Sequence, residues 1–274
     1  MAVAKTRKAV KKQPSRKRKP KKKQLHPLWV AGGLVLLALI VLVPHWIARS
    51  LAVGAVVPEG YRQFVVDLSH HNAREVQWDS LRVLVDAQGR SCRDIRSART
   101  IVPLTAVVLK ATEGESFKDK HFADWWMEAG ETGLRRGAYH FFRSSKDAQL
   151  QAQSYISSVS LTYRDLPPVL DVETVHDGCT KEQLNRKLLQ WLEMVEAHYG
   201  RKPIVYTSDA FCRDWLLPSV TEEYPLWIAR YNTEAPRTEG WHFWQFTDHA
   251  VVHGIPGHVD LSVVSPDALL QVVK

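Results

Sequence analysis

No acidic side chain precedes Glu59 in this chain of 274 residues, and only three cysteines occur in the whole of it. The cysteines, Cys92, Cys179 and Cys212, show no C-x-x-C spacing, which excludes a zinc ribbon and a thioredoxin-like redox motif. The missing acids explain the overall charge of +8. Residues 1–49 hold thirteen of the 37 Lys and Arg, so the remaining 24 face all 29 acids and residues 50–274 carry a net −5. An acidic body repels phosphate backbones, so the chain is not expected to partner nucleic acid. With 45% hydrophobic and 24% charged residues, disorder along the whole length is excluded. The length suits one α/β barrel or two small domains.

The first 27 residues are a basic tract, too poor in apolar side chains to bury anything, and are expected to be disordered. Residues 28–48 form an apolar segment with Trp29 and Trp46 near its ends and twelve basic residues ahead of it. At about 1.5 Å rise per residue it spans a hydrocarbon core of about 30 Å. Positive charge stays inside, so the expected topology is a cytoplasmic tail, one transmembrane helix in the inner membrane, and a periplasmic or extracellular body. The alternative is secretion after cleavage near Val53-Gly-Ala55. The lysine run could also be read as a nuclear-localisation or nucleic-acid patch, but its adjacency to an apolar span favours the topogenic reading.

Residues 49–62 read as a linker punctuated by Pro58 and Gly60, and residues 63–274 as one domain. Strands are expected at 63–68, 105–110, 136–142, 168–172, 203–207, 226–229, 242–246 and 259–261. Helical stretches fall at 74–86, 120–132, 146–158, 181–199 and 209–216. Alternating strands and helices predict parallel βαβ units, and eight strands predict closure into an irregular TIM-like barrel, with helices after the first five strands only. Chemistry then belongs at the carboxyl ends of the strands. Residues 86–103, with Arg90, Arg93, Arg96 and Arg99, break the rhythm and read as a solvated basic insertion, contact with an anionic polymer or lipid headgroups being the functional rival.

Acids stand at or just past four expected strand ends: Asp67, Glu113, the pair Asp171 and Glu173, and Asp260. Residues i and i+2 of a strand share a face, so Asp171 and Glu173 point together while Val172 points away. Crowded carboxyls ionise unequally, one remaining an acid while another is charged. Glycosidic cleavage needs that pairing: one group protonates the departing oxygen, and another stabilises or attacks the cationic sugar carbon. Glu173, with the longer arm one residue further out, is expected to be the acid. Tyr139, Phe141, Tyr206, Trp227, Tyr231, Trp241 and Trp244 supply aromatic faces on which sugar rings could stack, or core. Gln245 is expected to offer hydrogen bonds to a sugar amide.

Carried by Val66-Asp-Leu-Ser-His-His71, Leu109-Lys-Ala-Thr-Glu-Gly114, Gly137-Ala-Tyr-His-Phe141, Leu166-Pro-Pro-Val-Leu-Asp-Val-Glu173, Pro203-Ile-Val-Tyr-Thr207, Leu226-Trp-Ile-Ala-Arg-Tyr231, Phe243-Trp-Gln-Phe246 and Val259-Asp-Leu261, the chain resembles the lysozymes of glycoside hydrolase family 25. The resemblance implies an irregular (β/α)5β3 barrel that hydrolyses the β-1,4 bond between N-acetylmuramic acid and N-acetylglucosamine in peptidoglycan, without metal or cofactor. The expected partner is the peptidoglycan glycan strand, the expected state a monomer.

The family's acidic cluster falls on Asp67, Asp171, Glu173 and Asp260, with Glu173 as proton donor. Substrate contacts are expected from His70, Tyr139, Phe141, Tyr206, Trp227, Tyr231 and Gln245. A covalent enzyme carboxylate and the substrate's own acetamido oxygen both remain open for the second step. Asn72 stands where glutamine is common in the family and Ser262 where asparagine is common, which bears on substrate contacts nearby. Two rivals are weighed. A metal-dependent polysaccharide deacetylase would use Asp67, His70, His71, His140 and His176. A peptidoglycan-binding protein without activity would keep the groove but not the acids. An exported domain permits a disulfide, without fixing which cysteines would pair.

Overall fold

A computed structural model of the chain describes residues 53–266 and Ala268. The tail and apolar span expected at residues 1–48 lie outside the described residues, and among those described no helix is long and apolar enough to cross a membrane. In chain order the strands are β1 (Val53–Val56), β2 (Phe64–Leu68), β3 (Arg82–Val85), β4 (Arg90–Cys92), β5 (Thr100–Pro103), β6 (Ala106–Glu113), β7 (Phe117–Lys118), β8 (Arg135–Phe141), β9 (Val169–Asp171), β10 (Ile204–Ser208), β11 (Leu226–Ala229), β12 (Trp241–Ala250) and β13 (Val259–Val264). The helices are α1 (Phe122–Glu131), α2 (Ala148–Ile156), α3 (Lys181–Tyr199), α4 (Asp209–Trp215) and α5 (Pro218–Thr221).

Eight strands close a barrel in the order β2-β13-β12-β11-β10-β9-β8-β6, with β6 returning to β2. Every neighbouring pair is parallel except the two that β13 makes, with β12 and with β2. The period of two along each strand sorts the side chains. Phe64, Val66 and Leu68 point out into the layer shared with the helices. Val65, Ala106, Val108, Val169, Ile204, Trp227, Phe243 and Val264 point in and fill the floor of the barrel. Two residues further along several of these strands the inward positions become Asp67, Lys110, Asp171, Tyr206 and Gln245. An apolar floor therefore gives way to a polar mouth at the carboxyl ends.

The longest helix shows why the outer layer forms. In α3, Leu184, Leu188, Trp191, Leu192 and Val195 recur at helical spacing and are fully buried. A reciprocal cap between Thr180 and Gln183 starts it, and Gly200, at φ 67°, ends it in the left-handed conformation that glycine adopts without strain.

The first barrel strand has no helix after it, contrary to expectation. Residues 74–86 form a single 3-10 turn, Trp78–Ser80, and then β3. The expected basic insertion is folded as well, since β4 and β5 join β3 and β1 in an antiparallel sheet of order β1-β4-β3-β5. A turn closed by Asp86, which accepts from the Gln88 and Arg90 amides, connects β3 to β4. Three of its four arginines have side-chain partners: Arg90 and Arg96 meet Asp86 and Asp94, and Arg93 donates to the Ile255 and Gly257 carbonyls. The stretch expected as a linker supplies β1, and Tyr61 within it packs against Trp241 and Trp244. Helices therefore follow β6, β8, β9 and β10 only. All three cysteines are buried and unpaired.

One ion pair near the floor is almost dry. Arg136 on β8 donates through Nε to Asp165 Oδ1 at 2.7 Å, and Asp165 also accepts from the Thr162 amide and hydroxyl. Removing one member of such a pair strands the other charge, so Asp165→Ala is expected to lower unfolding free energy by about 3 kcal/mol in urea titration.

Candidate active site

The barrel mouth opens into a pocket of about 260 Å³ lined by the carboxyls of Asp67, Asp171, Glu173 and Asp260, together with the aromatic rings of Tyr139, Phe141, Tyr206, Trp227 and Tyr231. Strand register brings these together: Phe141, Asp171 and Tyr206 are successive neighbours across β8, β9 and β10, and Asp67 lies directly opposite Asp260 across β2 and β13. Like charges in such a cross-strand pair repel. Asp260 reaches the mouth from near the start of its strand because β13 runs against the others.

Burial, followed by the charge of Asp260, pushes the Asp67 carboxyl well above the usual carboxylate range. Burial and then Glu173 do the same to Asp171, and burial and then Asp248 push Asp260 up to about 6. The i and i+2 pair is unequal in access: Asp171 is buried while Glu173 stands exposed at the rim. Among the described residues, Oδ1 of Asp171 has no hydrogen-bond partner. The group thus gathers carboxyls of unequal burial, three of them displaced upward in pKa, in one aromatic-walled pocket, which suits proton transfer to a bound sugar polymer.

Glu113, the remaining strand-end acid, does not line this pocket. Although burial raises its pKa, hydrogen bonds from Lys110 at 2.6 Å and from Arg143 prevail and hold its carboxyl below the ordinary value. Lys110 is the one cationic side chain on the pocket wall, among acids and rings. It was detectable in sequence as a lysine inside an otherwise apolar strand.

Two expected substrate contacts sit differently. His70 faces Asp119, with Nδ1 2.7 Å from Oδ2, and is not part of the pocket lining, whereas His71 is. Gln245 is buried at the pocket wall and its amide is held at both ends: Oε1 accepts from the Tyr206 and Tyr231 hydroxyls at 2.8 and 3.1 Å, and Nε2 donates to Asp67 Oδ1 at 3.0 Å. Trp241 and Trp244 belong to the outer packing around Tyr61. The two departures from the family's pattern have structural roles, Asn72 Oδ1 accepting from the Ser69 amide and Ser262 Oγ from the Trp227 indole.

The histidines weighed as metal ligands do not converge. His140 is enclosed between Thr112 and Gln151, burial pushing it down to about 4, and His176 meets Ser144. Among the described residues no three His, Cys, Asp or Glu side chains form a metal-binding group.

The chain is similar to known proteins in sequence and fold. The sequence profile of glycosyl hydrolases family 25 matches residues 66–255. The chain is 36% identical over 209 residues to the uncharacterized protein YegX of Escherichia coli K12, covering 76% of this chain and 71% of that one. To the autolytic lysozyme of Clostridium acetobutylicum it is 30% identical over 165 residues, or 60% of this chain and 50% of that one. The fold superposes on a family 25 glycosyl hydrolase from Bacillus anthracis with a TM-score of 0.64 at 26% identity, covering 79% of this chain and 95% of the other.

Crowding at the mouth has a measurable cost. An acid whose folded pKa is raised binds more protons folded than unfolded, so the stability tied to Asp260 is complete below about pH 4 and lost as pH rises through about 6. Asp260→Asn is therefore expected to raise stability at pH 7 by about 2 kcal/mol and to leave it nearly unchanged at pH 3, as read by urea denaturation at the two pH values.

Proposed function

The chain belongs to glycosyl hydrolases family 25 and is a glycoside hydrolase of the lysozyme type, and from that premise we propose that it cleaves the β-1,4 bond between N-acetylmuramic acid and N-acetylglucosamine in peptidoglycan. The observation that carries this reading is the unequal pair at the end of β9, buried Asp171 and exposed Glu173 just beyond it, in a pocket walled by aromatic rings.

In this reading Glu173 gives its proton to the leaving glycosidic oxygen as the bond to the muramic acid anomeric carbon breaks. The oxygen of the substrate's acetamido group attacks that carbon, and Glu173, now a carboxylate, takes a proton from the water that completes hydrolysis. Asp171 suits orientation of the acetamido N–H better than covalent attack. Its Oδ1 is free to accept, and burial disfavours the anion a nucleophile would need. Asp67 and Asp260 stabilise the positive charge that develops on the sugar. Tyr139, Phe141, Tyr206, Trp227 and Tyr231 form the wall against which the sugars lie, and His71 takes the rim position expected of His70.

Residues 28–48 serve in this reading as a membrane anchor with the basic tail in the cytoplasm, leaving the barrel on the side where the wall lies. The full chain is expected in the membrane fraction, resistant to high-salt extraction. A chain lacking residues 1–48 is expected to be soluble and to digest isolated peptidoglycan. Recovery of the full chain in the soluble fraction at reduced mass would show cleavage instead.

Glu173→Gln is expected to slow release of muropeptides from purified peptidoglycan by at least about 10²-fold. Mass spectrometry of the wild-type digest should find new reducing ends on muramic acid. Undiminished release by the variant would remove Glu173 from the role of acid.

A further inference from the structure

We propose that Gln245 is a positioning residue that holds Asp67 as an accepting carboxylate, and that Tyr206 and Tyr231 are what fix the direction in which its amide points. The inference rests on the hydrolytic reading above and concerns the same pocket. Its observation is the closed set of three hydrogen bonds around one buried amide.

An amide can face either way, since its oxygen and nitrogen occupy nearly the same volume. Here two phenols converge on one end. A phenol can donate, and each of these does so to Oε1, satisfying the carbonyl twice over and leaving Nε2 to face Asp67. The reverse orientation would set two oxygens, Gln245 Oε1 and Asp67 Oδ1, at the same 3.0 Å, tolerable only with a proton between them. Amide direction and Asp67 ionisation are thus one linked state. The link is needed because Asp67 is under pressure to protonate: burial and Asp260 both act in that direction, and the Gln245 hydrogen bond is the strongest influence opposing them. A charge-stabilising carboxylate that lost its charge at neutral pH would no longer serve the developing cation.

Gln245 lines the pocket but presents little of itself there. It is 1% exposed, and its oxygen and one amide N–H are engaged inside the protein. Its position on β12, beside Ala229 of β11 and Ser262 of β13, puts it between the strand that carries Asp260 and the loop that carries Tyr231. One side chain therefore reaches, through Asp67, the place where Asp67 and Asp260 face each other across β2 and β13.

The test compares Gln245→Leu, Gln245→Glu and Tyr206→Phe/Tyr231→Phe with wild type on a soluble peptidoglycan fragment across pH. In Gln245→Leu, kcat is expected to fall about ten- to a hundredfold with KM little changed, and the acid limb of the profile to move upward by about one pH unit. Gln245→Glu can donate to Asp67 only while its own carboxyl is protonated, so its optimum should move to lower pH with partial recovery of rate there. Carboxyl-carbon NMR titration of Asp67 should show a raised pKa in Gln245→Leu and a smaller rise in the double phenylalanine variant.

A rise in KM at constant kcat would make Gln245 a substrate contact and overturn the proposal. A loss of rate with an unmoved pH profile and an unmoved Asp67 titration would reduce it to packing. The titration needs no turnover, so a wild-type protein that releases no reducing ends would sink the hydrolytic reading while the role of Gln245 is still decided. If Gln245→Leu does not fold, the double phenylalanine variant decides alone: an unchanged Asp67 titration in it refutes the link.

Discussion

Mutual repulsion among carboxyls held in a shrinking dielectric is the constraint to which the rest of this molecule answers. Asp67 faces Asp260 across adjacent strands, and Asp171 lies beneath Glu173, all within one pocket. In water the groups would ionise together and separate. Here the closed sheet forbids separation, so the conflict shows instead in the carboxyl pKa values, with Asp67, Asp171 and Asp260 all displaced upward and the Gln245 amide opposing that rise at Asp67. Rigidity of the barrel is what converts sequence spacing into unequal acids. The apolar floor beneath, filled by Val65, Val108, Val169, Ile204 and Phe243, supplies that rigidity and keeps water from entering below the mouth.

Cations are kept away from this group with some care. The pocket wall has a single lysine, and Lys110 is neutralised at once by Glu113, which Arg143 holds in turn. Asp165 at the floor consumes Arg136. Had Lys110 been free, it would have drawn protons off Asp171, on which it already acts weakly in that direction. The neutral donors of Gln245, Tyr206 and Tyr231 orient groups at the mouth without adding a full positive charge there.

Much of this was legible in the residues. Seven strand cores fell where short apolar runs were bounded by turns, and β13 proved longer than its apolar signal. The period of two placed Asp171 and Glu173 together, and Asp67 and Asp260 at the same rim, before any coordinates. What failed was long-range. Arg82-Val-Leu-Val85 has the apolar content of a helix turn or a strand, and the choice is made by β4 and β5, which lie later in the chain and pair with it on both sides. Likewise His70 and His71 project differently, but the one that faces the pocket is settled by the turn from Ser69 to Asn72 and by Asp119, 49 residues away from His70. The type of Gln245 was visible and its partners were not, because they come from three other elements.

The reversed final strand has a geometrical consequence of its own. Because β13 descends from Asp260 at the rim to Val264 opposite the start of β2, the polypeptide enters and leaves the cylinder at the same pole, the one remote from the acids. The segment between Ala250 and Val259 is thereby the sole connection of the closing hairpin that borders the catalytic pole. Changes of length there would remodel the groove's flank.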